Sequence, residues 1–258
     1  MLKLENTDVY GWEAAIRGMR NPMNSWDMSD SRWGLAEGEL DYDGKLAYYI
    51  GENDLKLMKN LSKAGNDHGK FLRMINVTVD ITAPLYWWKE FDTYKVGTVA
   101  NSCSTMHKIH AKEFELDDFS YEHLFDSDKE HISEEDWVDV SEDGSFVEQW
   151  DSVEFIKMIV RALNVYRERY LECAERLKHN TFETWNDGIA CKADQKRYWW
   201  QMIQLLPSSY NQKRTVQLNY QVLKQMYFAR RNHKLDEWHT LCEWVESLPY
   251  FKEICIDV

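Results

Sequence analysis

No stretch of this 258-residue chain is apolar enough to cross a bilayer: mean hydropathy is −0.62, and its apolar runs stop well short of a membrane helix. The opening residues, MLKLENTDVYGWEAA, lack a basic start followed by an apolar core, so no secretory signal is expected. CxxC spacing is missing too. The five cysteines, at 103, 173, 191, 242 and 255, are scattered and odd in number. That pattern suits a reducing cytosol and argues against a disulfide framework or a zinc site. A basic stripe that could release counterions from a phosphate backbone is also lacking, which disfavours non-specific nucleic-acid binding. Internal repeats and flexible linkers are absent.

What is present is charge of one sign, in one place. The net charge is −13, yet Glu113–Glu154 holds 17 acidic residues against Lys129 alone. The remainder is close to neutral, so a pocket for an anionic ligand can still collect local positive charge. The stretch Glu113–Gln149 carries few helix or strand signals. It reads as a solvated acidic insertion, ordered in part by Phe114, Phe119, Tyr121 and Trp137, or as a docking surface for a basic partner.

The periodicities predict an α+β fold with a helix-rich C-terminal half. Asp43-Gly44 marks a turn between two short strands. Leu55, Met58 and Leu61 share a face of a helix over 53–64 that Gly65 can cap. Residues 71–81 alternate as a half-buried strand, with Phe71, Ile75, Val77, Val79 and Ile81 on the inner face. Pro84 suits the first turn of a helix reaching Tyr94. Asp151-Ser-Val-Glu154 has a capping pattern and starts a long amphipathic helix to about Leu177. Further helices are expected over 194–206, stopped by Pro207, over 215–231 and over 235–247.

Three blocks carry a family resemblance. The first is Asp80–Met106, DITAPLYWWKEFDTYKVGTVANSCSTM: a strand end, a proline, a helix, then a small-residue loop. The second is Gly65-Asn66-Asp67-His68-Gly69. The third is Leu205-Leu206-Pro207, followed twelve residues later by Asn219 and then by Arg230. In order and spacing these resemble the flavin-dependent thymidylate synthases, over roughly residues 53–248, with the acidic segment as an insertion.

That resemblance implies a central sheet packed by long helices within a single domain, and a homotetramer with sites between subunits. It also implies FAD reduced by NADPH, and a one-carbon unit moved from methylene-tetrahydrofolate to a pyrimidine nucleotide such as dUMP. Thr93-Tyr94-Lys95 stands where the family has an Arg-His-Arg triplet. Cys103 and Thr105, flanking Ser104, fall where its loop serine and arginine would be. Asn66 or His68 occupies the place of its flavin-contacting histidine, Gln221 and Ile203 the places of arginines, and Gln225 that of a polar flavin contact. The flavin contacts implied are thus His68, Thr93, Tyr94, Lys95, Asn101, Asn219 and Gln225. The substrate contacts are Cys103, Ser104, Thr105, Gln221 and Arg230, with Arg230 also the catalytic residue and no metal ligand among them.

Each residue has a plainer alternative. Arg230 can polarise a pyrimidine carbonyl, or simply complement a helix C-terminus. Lys95 can hold a phosphate as a point charge, or sit in solvent. Tyr94 can stack on a ring, or pack. Cys103 can be a nucleophile with His107 four residues on, or a small packed side chain. Each lost charge-assisted phosphate bond removes roughly 1.5–3 kcal/mol, so losing several weakens dUMP binding by orders of magnitude. Two functions stay open: reductive C5 methylation, or a non-catalytic nucleotide- or protein-binding module on the same fold.

Overall fold

The computed structural model describes residues 1–35, 46–140 and 149–258; the Asp43-Gly44 turn lies outside them. The chain divides into two compact units, which interleave along the sequence. One comprises Leu2–Ile81, Phe91–Asn101 and Arg214–Val258. The other comprises Met1, Thr82–Glu90 and Ser102–Lys213. Among the described residues, no helix is long and apolar enough to cross a membrane.

Most of the sheet residues belong to the first of these units. Strands β1 (Lys3–Tyr10), β4 (Asn76–Pro84), β5 (Val99–Ser102) and β8 (Asn211–Asn219) form one antiparallel sheet in the order β1-β4-β8-β5. A separate pair, β2 (Arg32–Leu35) and β3 (Leu46–Tyr49), runs antiparallel with Trp33 opposite Tyr48. The inner residues of β4 are those the alternation picks out: Val77, Val79 and Ile81 are buried, as is Ile75 just before the strand. The strand starts later than the sequence predicts, because Gly69–Arg73 forms a 3-10 turn. Phe71 and Leu72 are buried side by side there, which a period-2 strand would not allow.

Helices surround the sheet residues in sequence. Helix α1 (Trp12–Arg20) begins after Gly11, whose φ of +96° suits glycine and whose added Cβ would lie 2.2 Å from the Met74 carbonyl oxygen. Helix α2 (Glu52–Lys63) matches the predicted span within a residue. The helix expected over 215–231 is shorter: residues 215–219 belong to β8, and only α6 (Tyr220–Arg230) is helical. Val216 and Leu218 point inward with Gln217 exposed between them, the signature of a strand rather than a turn of helix. Asn219 then caps α6 by accepting the Val222 N–H at 3.1 Å. Helix α7 (Asp236–Ser247) follows, and a short π-helical turn (Lys252–Ile256) closes the chain.

A buried ion pair fastens this unit. Arg20 and Asp54 are 4% and 0% exposed, and Arg20 Nε meets Asp54 Oδ1 at 2.6 Å. The other carboxylate oxygen accepts from Ser29 Oγ, Ser31 Oγ and the backbone N–H groups of Asp30 and Ser31. The Arg20 guanidinium also donates to the carbonyls of Ser25 and Met28. One carboxylate thus orders the whole connection from α1 to β2.

The second unit holds a long helical hairpin, α4 (Ser152–His179) and α5 (Trp185–Leu205), with α3 (Leu85–Phe91) contributing its first six residues. Helix α5 starts nine residues before the predicted position, where Thr184 and Asp187 make a reciprocal capping box. Trp87 and Trp88 are fully buried anchors, and Trp88 Nε1 donates to the Gln212 carbonyl at 3.0 Å.

The acidic segment is built into this unit rather than merely solvated. Phe114 and Phe119 are 4% and 2% exposed and pack with Ile109, Ile156, Leu163 and Met202. Asn164 of α4 brackets the Phe114 backbone, accepting its N–H at 2.9 Å and donating to its carbonyl at 2.8 Å. A two-stranded ribbon, β6 (Val138–Asp139) with β7 (Gln149–Trp150), closes the segment. Phe114 and Phe119 thus turn inward, whereas Phe125 is 43% exposed and Asp126 is buried.

Asp151 is the joint between the segment and α4. It is 2% exposed, accepts the Glu154 N–H at 2.8 Å as N-cap, and accepts both the N–H and the hydroxyl of Ser127. Asp151→Ala is expected to lower stability by about 1–2 kcal/mol, the typical loss for a helix cap, measurable as a shift of the urea midpoint at unchanged slope.

Candidate functional site

The residues singled out by the sequence distribute over both units. Nine lie in the sheet unit: His68, Thr93, Tyr94, Lys95, Asn101, Asn219, Gln221, Gln225 and Arg230. Cys103, Ser104 and Thr105 lie in the hairpin unit.

In the sheet unit, Gln221, Gln225 and Arg230 lie on α6, Asn219 caps it, and Tyr94 bonds to its last turn. Beyond α3 the chain turns tightly: the Tyr94 N–H donates to the Phe91 carbonyl at 3.0 Å, and Thr98 Oγ1 donates to the Tyr94 carbonyl at 2.6 Å. Gly97 sits in this loop at φ +87°, and a Cβ there would meet Val222 Cγ2 at 2.9 Å and Asn219 Nδ2 at 3.3 Å. The glycine therefore lets the loop backbone lie directly on the start of α6. Thr93, Lys95 and Asn101 are exposed along the loop, and Val96 is 93% exposed.

Two pairs bracket the helix. At its first turn, Gln221 is buried and its Nε2 donates to Asn66 Oδ1 at 3.3 Å. Of the two candidates in the 65–69 turn, Asn66 is thus the one joined to α6, while His68 is exposed. At the last turn, Arg230 Nε donates to Tyr94 Oη at 3.0 Å. The two ends are separated by about 14 Å of helix at 1.5 Å per residue. Between them Lys224 donates to Ser62 Oγ at 2.7 Å, and Gln225 is exposed.

Arg230 is more than a helix-end charge. Its guanidinium lies 4.8 Å from the ring centre of the buried Trp238 and 5.7 Å from that of Tyr94. The two rings meet edge to face at 6.1 Å. Tyr94 is therefore turned toward Arg230 and Trp238, which holds the arginine's plane in place. Trp238 had no signal of its own in the sequence. The turn joining α6 to α7 brings it back to Arg230, and only a helix–turn–helix reading of 220–247 would have found it.

A second arginine was also not foreseen. Arg214 of β8, with a 13% exposed side chain, pairs with Asp92 at 2.8 Å. One residue on, Thr215 Oγ1 donates to Asp80 Oδ1 at 2.6 Å, and Asn6 Nδ2 donates to Asp80 Oδ2 at 2.9 Å. These polar groups knit β1, β4 and β8 on the face opposite the apolar one.

In the hairpin unit, Cys103 is exposed. Its N–H donates to the Lys213 carbonyl at 2.9 Å and its carbonyl accepts from Gln212 Nε2 at 2.8 Å. Ser104 Oγ accepts the N–H groups of Met106 and His107, so the serine closes its own turn. Thr105 is half-buried. Ile203 packs against the core and offers no charge. Trp199 Nε1 donates to the Met106 carbonyl at 2.8 Å, fixing the end of this loop. Among the described residues, no cluster of histidine, cysteine and carboxylate side chains could hold a metal ion.

The polar side chains at this end of the unit are mostly neutral amides. Asn66, Asn219, Gln221 and Gln225 offer amides, which match the alternating acceptors and N–H of an imide ring edge. A diphosphate would meet the Lys95 ammonium and the backbone that Gly97 allows close to α6.

No protein-family model and no curated protein sequence matches this chain. Solved structures do. A flavin-dependent thymidylate synthase from Helicobacter pylori, crystallised with FAD and dUMP, matches at a TM-score of 0.56 and 17% identity, over 99% of this chain and 98% of the other. A second crystal structure of that enzyme, also with FAD and dUMP, gives the same score and identity over 100% and 98%. The fold is that of the flavin-dependent thymidylate synthases, with an amino-acid sequence far removed from theirs.

Proposed function

We propose that this chain binds FAD and a pyrimidine deoxynucleotide such as dUMP, and carries out reductive C5 methylation or a related one-carbon transfer. The carrying observation is the placement of Asn66, Gln221, Tyr94 and Arg230 along one helix of a fold that, in the Helicobacter pylori enzyme, accompanies FAD and dUMP. On this reading the protein is a cytosolic homotetramer that uses NADPH and methylene-tetrahydrofolate as co-substrates.

Bound FAD would supply the hydride that completes the methyl group. The chain's own residues do the rest. Lys95 and the Gly97 backbone would hold the diphosphate, and Asn219 and Gln225 would offer polar contacts to the flavin. Gln221, oriented by Asn66, reads the pyrimidine edge. Arg230, held flat by Trp238 and hydrogen-bonded to Tyr94, faces negative charge developing on the ring. With Thr105 and Ile203 at two of the family's arginine positions, the nucleotide phosphate contributes little. Deoxyuridine and dUMP are therefore expected to bind within about tenfold of each other, one charge-assisted bond rather than several.

A second reading keeps binding and omits catalysis, since the Arg230 guanidinium is already engaged by Tyr94 and Trp238. Titration with FAD is the first test. A saturable rise in bound flavin absorbance, followed by tritium release from labelled dUMP with folate and NADPH, supports the enzyme. Flavin uptake without release supports the binding module. A colourless protein that takes up no FAD removes both flavin readings.

A further inference from the structure

The sheet unit contains a cleft of about 660 Å³, within the size range of small-ligand sites and separate from the α6 residues described above. Trp12, Trp33, Tyr48 and Tyr250 supply its aromatic walls, and among the described residues Glu13 and Arg17 are its charged groups. The walls are set by the fold. The β2–β3 register puts Trp33 opposite Tyr48, and their rings meet edge to face at 5.1 Å. Trp12, 7% exposed, meets Tyr250 in the same way at 5.7 Å.

Three features give this cleft the character of a built site. The first is a carboxylate held in a fixed pose: Trp33 Nε1 donates to Glu13 Oε1 at 2.6 Å. A carboxylate has about four acceptor positions, so this bond aims the group while leaving acceptor capacity for a ligand. The second is charge spacing. Glu13 and Arg17 stand four residues apart on α1, one helical turn, so the two charges line the same side. The third is Tyr250, a bulky residue at φ +55°, a backbone conformation that normally belongs to glycine or asparagine. Its hydroxyl accepts the Ile50 N–H at 3.3 Å, which helps hold the ring in the wall. Burial raises the Tyr48 phenol pKa, with the Glu13 and Asp54 carboxylates adding to it, so that phenol stays a neutral donor.

We propose that this cleft binds a planar nitrogen heterocycle that presents two adjacent N–H donors and carries an anionic tail, of the kind found in a guanine mononucleotide. The ring lies against the aromatic walls, where stacking tolerates any flat π system. Glu13 accepts the paired N–H groups, as carboxylates do from nitrogen donors at base edges. Arg17 takes the phosphate through its planar fork. Each of the cleft's chemical features then has a partner. A simple cation would satisfy Glu13 and the rings but meet Arg17 with like charge. A purely apolar ligand would leave both charges without use.

The test is calorimetric titration of the full chain with GMP, inosine monophosphate, AMP and guanosine. GMP is expected to bind one to one, and inosine monophosphate, which lacks one N–H donor, roughly tenfold or more weaker. Glu13→Gln should bring GMP down to the level of inosine monophosphate. Arg17→Gln should erase the difference between GMP and guanosine. Both side chains are on the surface of α1, so neither exchange threatens folding. Absence of saturable heat at millimolar GMP overturns the proposal. So does GMP binding that both variants leave unchanged, or that FAD or dUMP displaces, since that would put GMP on α6. Binding of FAD and dUMP by the two variants stays at the level of the unaltered chain, so this site and the proposed flavin site fail independently.

Discussion

Replacing Asp54 with alanine is expected to cost about 3–5 kcal/mol, a large share of the roughly 5–15 kcal/mol that holds a domain folded. The reason is what would be left behind. Arg20 is 4% exposed and would keep its charge with its partner among the described carboxylates gone. Two serine hydroxyls and two backbone N–H groups, from Ser29, Asp30 and Ser31, would lose their acceptor at once. A buried donor without a partner carries its full desolvation cost. Arg20→Met together with Asp54→Leu should recover part of the loss, because an apolar pair of similar volume removes the stranded charge. Equilibrium urea unfolding of the single and double variants measures this. A single variant within about 0.5 kcal/mol of the parent would show that the pair is not a fastener.

The same carboxylate sets an acid limit. Burial pushes the Asp54 pKa up, but hydrogen bonds from Ser31, Ser29 and Arg20, with the Arg20 charge, outweigh it, and the net pKa falls below the usual range. A folded-state pKa below the unfolded one means stability that is fully present above about pH 4. It is lost as pH falls through the lower folded value. The Asp54 contribution should therefore be flat across neutral pH and disappear only in strong acid.

Arg230→Ala is expected to weaken dUMP binding by about a hundredfold, the loss of one or two charge-assisted hydrogen bonds. The packing around Arg230 makes intermediate variants informative. Arg230→Lys keeps a positive charge but loses the planar stack on Trp238 and the Nε bond to Tyr94, so it should recover only part of the affinity. Tyr94→Phe leaves the charge and removes a single bond, with an expected effect of about threefold to tenfold. Near-identical dissociation constants for Arg230→Ala and the parent would assign Arg230 to packing alone. Urea unfolding of each variant separates a lost ligand contact from a lost cation–π contact, which is worth about 0.5–2 kcal/mol.

Local sequence was enough wherever neighbours in the chain decide the structure. The inner face of β4 follows from alternation, because a strand's side chains change sides at every residue. The start of α4 follows from Asp151 and Glu154, because a cap is a bond across three residues. Pro207 is expected to stop a helix and α5 ends at Leu205, but Pro84, expected in a helical first turn, ends β4 instead, and α3 stops at Phe91 rather than Tyr94.

Tertiary structure decided what depends on partners distant in sequence. The run 215–219 became strand rather than helix because the sheet takes up its hydrogen bonds, an outcome that a window of neighbours does not contain. Phe114 and Phe119 went into a core although charges surround them in sequence, since α4 and α5 offer the apolar face they need. Asn66 was joined to Gln221 across 155 positions, and Asp54 to Arg20 and Ser31 across more than twenty. Trp238 reached Arg230 only through a turn. Composition and spacing determined the elements and their order. Which side chains meet, and hence which charges are held, capped or left to a ligand, was settled by long-range packing, where the energy of a contact depends on what the rest of the chain brings beside it.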